Sequence, residues 1–460
     1  MTDDALAMIQ KAIDAVNPYQ AVQTHLLKGN GQDVASLSVE DQIYRASEFE
    51  SVLLISFGKA SSAMAVSTIH RLEQAFPKLP IYGVVVVKDN HTSEEEIQTL
   101  RQYPDIRLME ASHPVPDDRS VEAGRNIMRL AHEASPQTLV ICCISGGGSS
   151  LFCTPTEPLS LHDLIVTNEV LLKSGMPIRA MNVIRKRLEA GKGGGLAAAA
   201  YPAKLLTLVL SDILGDPLDL IASGPTFPDP TTFQDAMRIV QENQLLLPDS
   251  VMELLHHGLV NCVTNCNPTD NDSVFQNCKT ILVGNNELAV IAAADEASSR
   301  GYNPVIIGTR VEGEARDVAG VYVAMAHQLQ HGGTKYGLAK LPAALISGGE
   351  TTVTLTNHDG KGGRNQELAL VAAQQLHSLK LRNVVLASVG TDGTDGPTDA
   401  AGAVVDGATV DRMKGSVADA LSRHDAYTYL DQFDDDGHIP LIRTGATGTN
   451  VADICVLLVK

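Results

Sequence analysis

Along the chain, apolar residues fall in short unbroken runs that alternate with longer stretches of helical spacing. Runs at 52–57, 81–87, 106–110, 138–144 and 205–210 have the length and aliphatic content of strands, and 60–74 and 120–134 carry helical spacing between them. Ahead of these, 3–28 predicts an amphipathic helix, a proline-marked break and a second short helix, while the polar stretch 29–50 predicts a loop. Prolines at 225, 228 and 230 interrupt the pattern, and 247–277 reads as a polar connector. Alternation resumes with strands at 280–283, 304–307, 343–346 and 384–389, with a helix at 286–300 among them. Such alternation implies an α/β fold in two domains, each a mainly parallel sheet sandwiched by helices, with the boundary near residue 240.

The loops after these strands carry the candidate chemistry, because ligands of open α/β sheets sit at strand C-termini. Lys59 directly follows the 52–57 strand and stands at a helix start, where a bound anion would offset its unfavourable position in the helix dipole; a solvated surface lysine is the plain alternative. The stretch is no P-loop, since position 53 is Leu where that motif needs Gly. Ser145, Gly146, Gly147, Gly148, Ser149 and Ser150 follow the 138–144 strand, and three glycines in a row let main-chain N–H groups converge on an anion. A cationic segment follows, with Arg185, Lys192, Gly193 and Gly194 as its candidate ligand-binding residues; Arg185 and Glu189 are also i,i+4 neighbours on an ordinary exposed helix face. Asp212 after the 205–210 strand occupies a usual position for a Mg²⁺ ligand, or for a helix N-cap, a role Asp216 fills equally well.

The second half echoes the first, with SGGE at 347–350 matching SGGG at 145–148. Arg364 opens a helical run behind a glycine-rich turn, flanked by Glu350, Asn365 and Glu367, and its planar fork suits a phosphate or carboxylate; an interdomain salt bridge is the alternative. Asp392, Asp395 and Asp399 crowd into eight residues, more carboxylates than a turn requires, so contact with a metal or a substrate hydroxyl is expected of one or two. His113, between Ser112 and Pro114, reads as structural rather than catalytic.

Charge narrows the partners. With 35 Lys+Arg against 54 Asp+Glu the net charge is −19, which argues against nucleic acid and acidic membrane surfaces. No apolar run reaches membrane-spanning length, and the acidic, helix-periodic N-terminus is unlike a signal peptide. The seven cysteines are expected as free thiols in a reducing compartment; Cys262 and Cys266 look like half of a zinc site with no second half. A soluble cytoplasmic protein is the expectation. The sequence leaves the assembly open, a homodimer included.

Taken together, SFGKA (56–60), SHPVPD (112–117), ISGGGSS (144–150), NVIRKRLEAGKGG (182–194), SDILGDP (211–217), SGGET (347–351), GKGGRNQE (360–367), GTDGTDGPTDAAG (390–402) and TGATGTNVAD (444–453) resemble the glycerate 2-kinases of the MOFRL family, in family order and over nearly the whole chain. The resemblance implies a Rossmann-like α/β domain over 1–240, a MOFRL-type α/β domain over 241–460 and an active site in the interdomain cleft. It implies ATP-dependent phosphorylation of D-glycerate to 2-phospho-D-glycerate with Mg²⁺, and it marks Lys59 and Arg364 as the catalytic pair. Within it, the 145–150 and 192–195 loops are expected to hold nucleotide phosphates, Arg185 the glycerate carboxylate, and Asp212 with Asp395 or Asp392 the metal. Two rivals are an NADH-dependent hydroxypyruvate reductase, which lacks a G-x-G-x-x-G after any strand, and a non-catalytic nucleotide or sugar-acid sensor.

Overall fold

The apolar runs of the first half assemble into one sheet in the computed structural model, which describes residues 1–29, 35–261, 267–269, 272–332, 339–355, 360–432 and 439–460. Strands β1 (Ser51–Phe57), β2 (Ile81–Lys88), β3 (Ile106–Ala111), β4 (Thr138–Ile144), β5 (Lys204–Leu210) and β6 (Cys278–Gly284) lie in the order β3-β2-β1-β4-β5-β6. The pairings from β3 across to β5 are parallel. Every residue of β4 is buried, as expected of a strand covered on both faces, and this is why its sequence does not alternate. The order reverses between β1 and β4, which makes the ends of those two strands the ligand-binding switch point of such a sheet.

A second six-stranded sheet contains β7 (Asn303–Glu314), β8 (Ala343–Thr352), β9 (Val384–Gly390), β10 (Gly402–Asp406), β11 (Leu441–Ile442) and β12 (Asp453–Val459), ordered β7-β8-β12-β9-β10-β11. Here the expectation of a mainly parallel sheet is corrected. Only β7 and β8 pair in parallel, because the last strand, β12, inserts between β8 and β9 antiparallel to both, and β9-β10-β11 continue antiparallel.

The chain divides into two compact units, Pro18–Val283 and Met1–Asn17 together with Gly284–Lys460, called the first and second unit below. The division falls some forty residues beyond the boundary expected near 240, for two reasons. Strand β6 joins the edge of the first sheet beside β5 rather than opening the second alternation. The helices Phe233–Glu242 and Asp249–Asn261 share an apolar cluster with Ile178–Leu188, centred on Ile184, Leu188, Met237 and Leu255. The N-terminal helix Thr2–Ala15 instead packs on Asn286–Ser299 and β12. Its Asp4 meets Arg300 at 3.1 Å and accepts a hydrogen bond from the Tyr302 hydroxyl at 2.7 Å.

Two further expectations change. The 29–50 stretch contains an antiparallel hairpin, Ser36–Val39 with Gln42–Arg45, which turns at Glu40 with φ of 50°. The connector 247–277 contains the helix Asp249–Asn261. Cys262 and Cys266 lie outside the described residues; Cys142, Cys143, Cys153, Cys278 and Cys455 are free thiols. Among the described residues, no helix is long and apolar enough to cross a membrane.

Candidate functional site

In the first unit, the turns after β1 and β4 meet at the switch point. The Lys59 amide donates to the Gly146 carbonyl at 2.8 Å, and the Ala60 amide donates to the Ser145 hydroxyl at 3.0 Å. These bonds fix Lys59 immediately before the helix Ser61–Ala75, whose N-terminus has no side-chain cap and no acid in its first turn. Gly147 takes a left-handed φ of 80° and starts the short helix Gly148–Leu151. The Gly148 and Ser150 amides return to the Ser145 and Gly147 carbonyls, whereas those of Gly146 and Gly147 find no main-chain acceptor among the described residues. Two open amides, an uncapped helix start and a half-buried lysine form the cationic cradle expected of a phosphate site.

Asp212, at the end of β5, closes the floor of this cradle. A Cβ added to Gly146 would stand 2.0 Å from its carboxylate, so only glycine allows the loop this approach. Burial raises the Asp212 pKa and the Lys59 charge opposes that rise. A Cβ at Gly147 would meet the His113 ring at 2.9 Å and the Lys59 side chain at 3.3 Å, so both side chains converge over that glycine.

Beside the cradle is a pocket of about 290 Å³ whose wall includes His113, Gly147, Ser149, Asn168, Arg185 and Glu189. Arg185 donates from Nε to the Asn168 amide oxygen at 2.8 Å, leaving the rest of its fork toward the pocket, and burial lowers its pKa against the pull of Glu189. Its two neighbours in the basic run do other work. Lys186 lies 3.4 Å from Asp219 and 3.5 Å from Asp229, and Arg187 is fully buried against Asp229 and the Thr231 carbonyl and hydroxyl. One cation of the three therefore reaches the pocket.

The 192–195 turn departs from its expected role as a phosphate cradle. Its amides are committed inside the protein: Gly193 donates to Ser223 O at 3.0 Å, Gly194 to Gly224 O at 2.7 Å and Gly195 to Lys192 O at 2.9 Å. Lys192 is fully buried and donates to the carbonyls of Phe152 at 2.7 Å and Ser149 at 3.2 Å. It braces the 145–150 loop from beneath. Ser149 is further tied to Ser223, whose hydroxyl donates to Asn182 at 2.7 Å.

In the second unit, Arg364 is the first residue of the helix Arg364–Ser378 and is clamped in place. It donates from two nitrogens to both carboxylate oxygens of Asp453, at 2.6 and 2.8 Å, and lies 3.1 Å from Glu350. Burial works against its charge, yet Asp453, Glu350 and Asp395 together raise its pKa. Asp453, at the start of β12, was not singled out in the sequence; an acid opening an otherwise apolar, fully buried strand is the signal that marks it.

The acids of the 392–399 stretch separate into distinct roles. Asp395, 2 % exposed, accepts from the Asn365 and Gln366 amides at 3.1 and 2.9 Å and from the Asn365 side chain at 3.3 Å, so it caps the helix that Arg364 opens. Burial pushes its carboxyl up to about 6 in spite of those donors. With both oxygens committed, Asp395 does not fit the metal-ligand role expected of it. Asp392 accepts from the Thr394 amide and hydroxyl, each at 3.0 Å, a turn-forming pattern. Asn365 accepts from the Ser388 hydroxyl at 2.6 Å. Glu367 is buried between Arg316 at 2.5 Å and His424 at 3.1 Å, a structural pairing. Lys361 lies over the Tyr427 ring at 3.9 Å from its centre.

Two family models match the chain, a domain of unknown function (DUF4147) over residues 4–256 and the MOFRL family over 343–453. The D-glycerate 2-kinase of Thermotoga maritima is 37% identical over 99% of this chain and 97% of its own length. The glycerate kinase of Mus musculus is 32% identical over 100% and 93%. A protein of Agrobacterium vitis named a putative hydroxypyruvate reductase is 41% identical over 88% and 99%. The crystal structure of the Thermotoga maritima glycerate kinase superposes with a TM-score of 0.83 at 35% identity, covering 100% of this chain and 99% of that one. The chain belongs to the MOFRL family of glycerate kinases.

Proposed function

We propose that the chain transfers the γ-phosphoryl group of ATP to the C2 hydroxyl of D-glycerate, forming 2-phospho-D-glycerate and ADP. The observation that carries this reading is the switch-point cradle, where the Gly146 and Gly147 amides, the Ser61–Ala75 helix start and Lys59 converge. Phosphoryl transfer proceeds through a loose transition state, so the protein's contribution is positioning and neutralisation of charge. The open amides and Lys59 hold the phosphate oxygens and Arg185 holds the glycerate carboxylate. Arg364, kept rigid by Asp453, is the second unit's candidate catalytic cation.

The chemistry of the acids fits a Mg²⁺ ion that arrives with the nucleotide. Among the described residues no three His, Cys, Asp or Glu side chains converge on a point. Asp212 offers one carboxylate beside the cradle, which suits an ion that keeps its waters and phosphate ligands. Bound there, Mg²⁺ would supply neutralisation of the β- and γ-phosphate oxygens.

Incubating the protein with ATP, Mg²⁺ and D-glycerate and following phosphorus NMR tests the reading: the 2-phosphate and ADP are expected, and absence of both overturns it. The strand order, shared with dinucleotide-binding sheets, and the reductase name of one relative favour a second reading. Against it, the β1 turn is Gly58-Lys59-Ala60, without the dinucleotide glycines. The acid after β2, Asp89, engages Arg119 with both carboxylate oxygens at 2.6 and 2.8 Å instead of facing a ribose. Hydroxypyruvate-dependent consumption of NADH would support that reading. Free thiols at five described cysteines support a cytoplasmic setting.

A further inference from the structure

His113 lines the pocket beside the cradle. Its ring converges with Lys59 over Gly147. It lines the same pocket as Arg185, together with the apolar walls of Leu164, Ile165 and Pro116. Among the described residues its imidazole makes no hydrogen bond, whereas the neighbouring side chains Ser145, Ser149 and Arg185 hold partners in Ala60, Ser223 and Asn168. The ring is half-buried at the pocket wall, so its nitrogens are open to water or to a ligand in the pocket.

We infer that His113 is a catalytic residue that accepts the C2-hydroxyl proton of glycerate in this pocket while Arg185 holds the carboxylate. This rests on the kinase reading above. In the step, the O2–H bond breaks and its proton moves to a ring nitrogen of His113. The oxygen forms a bond to the γ-phosphorus, and the bond from that phosphorus to the β,γ-bridging oxygen breaks with its electron pair leaving on ADP. The proton then returns to solvent.

The surroundings favour an acceptor over a donor. Burial, then Lys59, Lys88 and His91, bring the His113 pKa down to about 4, so the ring is neutral at physiological pH. Asp212, beyond Lys59, and Arg185, Glu169 and Glu189 across the pocket are the other charges of this region. A base with a carboxylate-like pKa is the kind that serves protein kinases, in which an aspartate takes the hydroxyl proton.

The test compares wild type, His113→Asn and His113→Ala for turnover with D-glycerate, for MgATP affinity by calorimetry and for rescue by added imidazole. The expected result is a kcat lowered about 100-fold or more, MgATP affinity within about threefold of wild type, and partial recovery of the Ala variant in imidazole. Turnover within about threefold of wild type overturns the assignment, as does a parallel loss of kcat and MgATP affinity without rescue, which marks a structural role. A wild-type protein that forms no phosphoglycerate overturns the kinase reading and this inference together. Normal wild-type turnover with an unimpaired His113 variant removes His113 alone.

Discussion

The two units use almost the same local sequence to opposite ends. In the first, strand β4 stops at Ile144 and SGGG becomes a turn whose glycines expose main-chain amides next to an unclamped lysine. In the second, strand β8 runs straight through SGGE to Thr352, with Gly348 and Gly349 paired to Ile454 and Asp453 of β12. There the glycines serve packing. A Cβ at Gly348 would stand 1.6 Å from the Asn286 side-chain oxygen, and the Asn286 amide donates to the Val451 and Asp453 carbonyls at 2.8 and 3.0 Å. The cations differ in the same way: Lys59 makes no ion pair among the described residues, while Arg364 is gripped by Asp453 and Glu350. One unit presents an adaptable charge on an open cradle; the other presents a charge whose geometry is set before any ligand arrives.

Removing each cation sharpens that contrast most. Lys59→Met and Arg364→Ala should each lower kcat about 1,000-fold, the scale of a transition-state cation in phosphoryl transfer. Their stabilities should diverge. Lys59→Met should cost less, since among the described residues it breaks no ion pair and removes only the charge that opposes the rise of the Asp212 pKa. Arg364→Ala leaves the buried Asp453 carboxylate unpaired and should cost about 3 kcal/mol in denaturant unfolding. Near-normal turnover in Arg364→Ala would break the comparison by making that arginine a strut.

Asp395→Ala comes next. It removes the acceptor for the first amides of the Arg364–Ser378 helix and should destabilise the protein by about 1 kcal/mol, with a fall in kcat through displacement of Arg364. Unchanged stability would show that the helix start is satisfied in another way.

A further effect concerns pH. The folded protein holds the His113 pKa near 4, below the unfolded value of 6.5. Stability from this group is therefore full above about 6.5 and is lost as pH falls toward 4, because only the unfolded chain takes up the proton in that window. His113→Asn should flatten the stability profile between those values. A variant with the wild-type slope would assign the slope to other groups.

Elements buried on both faces were legible in the sequence because their aliphatic runs are unbroken; β4 was placed to the residue, and β1 and β5 to within one. The edges were less so. β6 is partly exposed and reads as the first strand of the next domain, since nothing local reveals which sheet it joins. The direction of β12 and its insertion between β8 and β9 are likewise long-range choices that a local pattern does not carry. Among the site candidates, Lys59, the 145–150 loop, Asp212 and Arg185 stood out by residue type and by position at strand ends or on the basic helix, and the first unit brings them to one region. The 192–195 glycines resembled them, but their amides are satisfied by Ser223 and Gly224, partners thirty residues away. Asp395 resembled a metal ligand because acid-rich turns and helix caps share a vocabulary. His113 was set aside because an open imidazole and a packed one look alike until the neighbours are known.

The central claim is that the phosphate groups of the nucleotide rest on the 145–150 loop of the first unit and not on its echo in the second. Calorimetric titration of MgATP into Gly146→Ala and Gly348→Ala tests it. Placing a methyl group against Asp212 in the first variant should weaken binding at least about tenfold, about 1.4 kcal/mol, while the folded second variant binds as wild type. Wild-type affinity in Gly146→Ala, or a loss confined to Gly348→Ala, would contradict it.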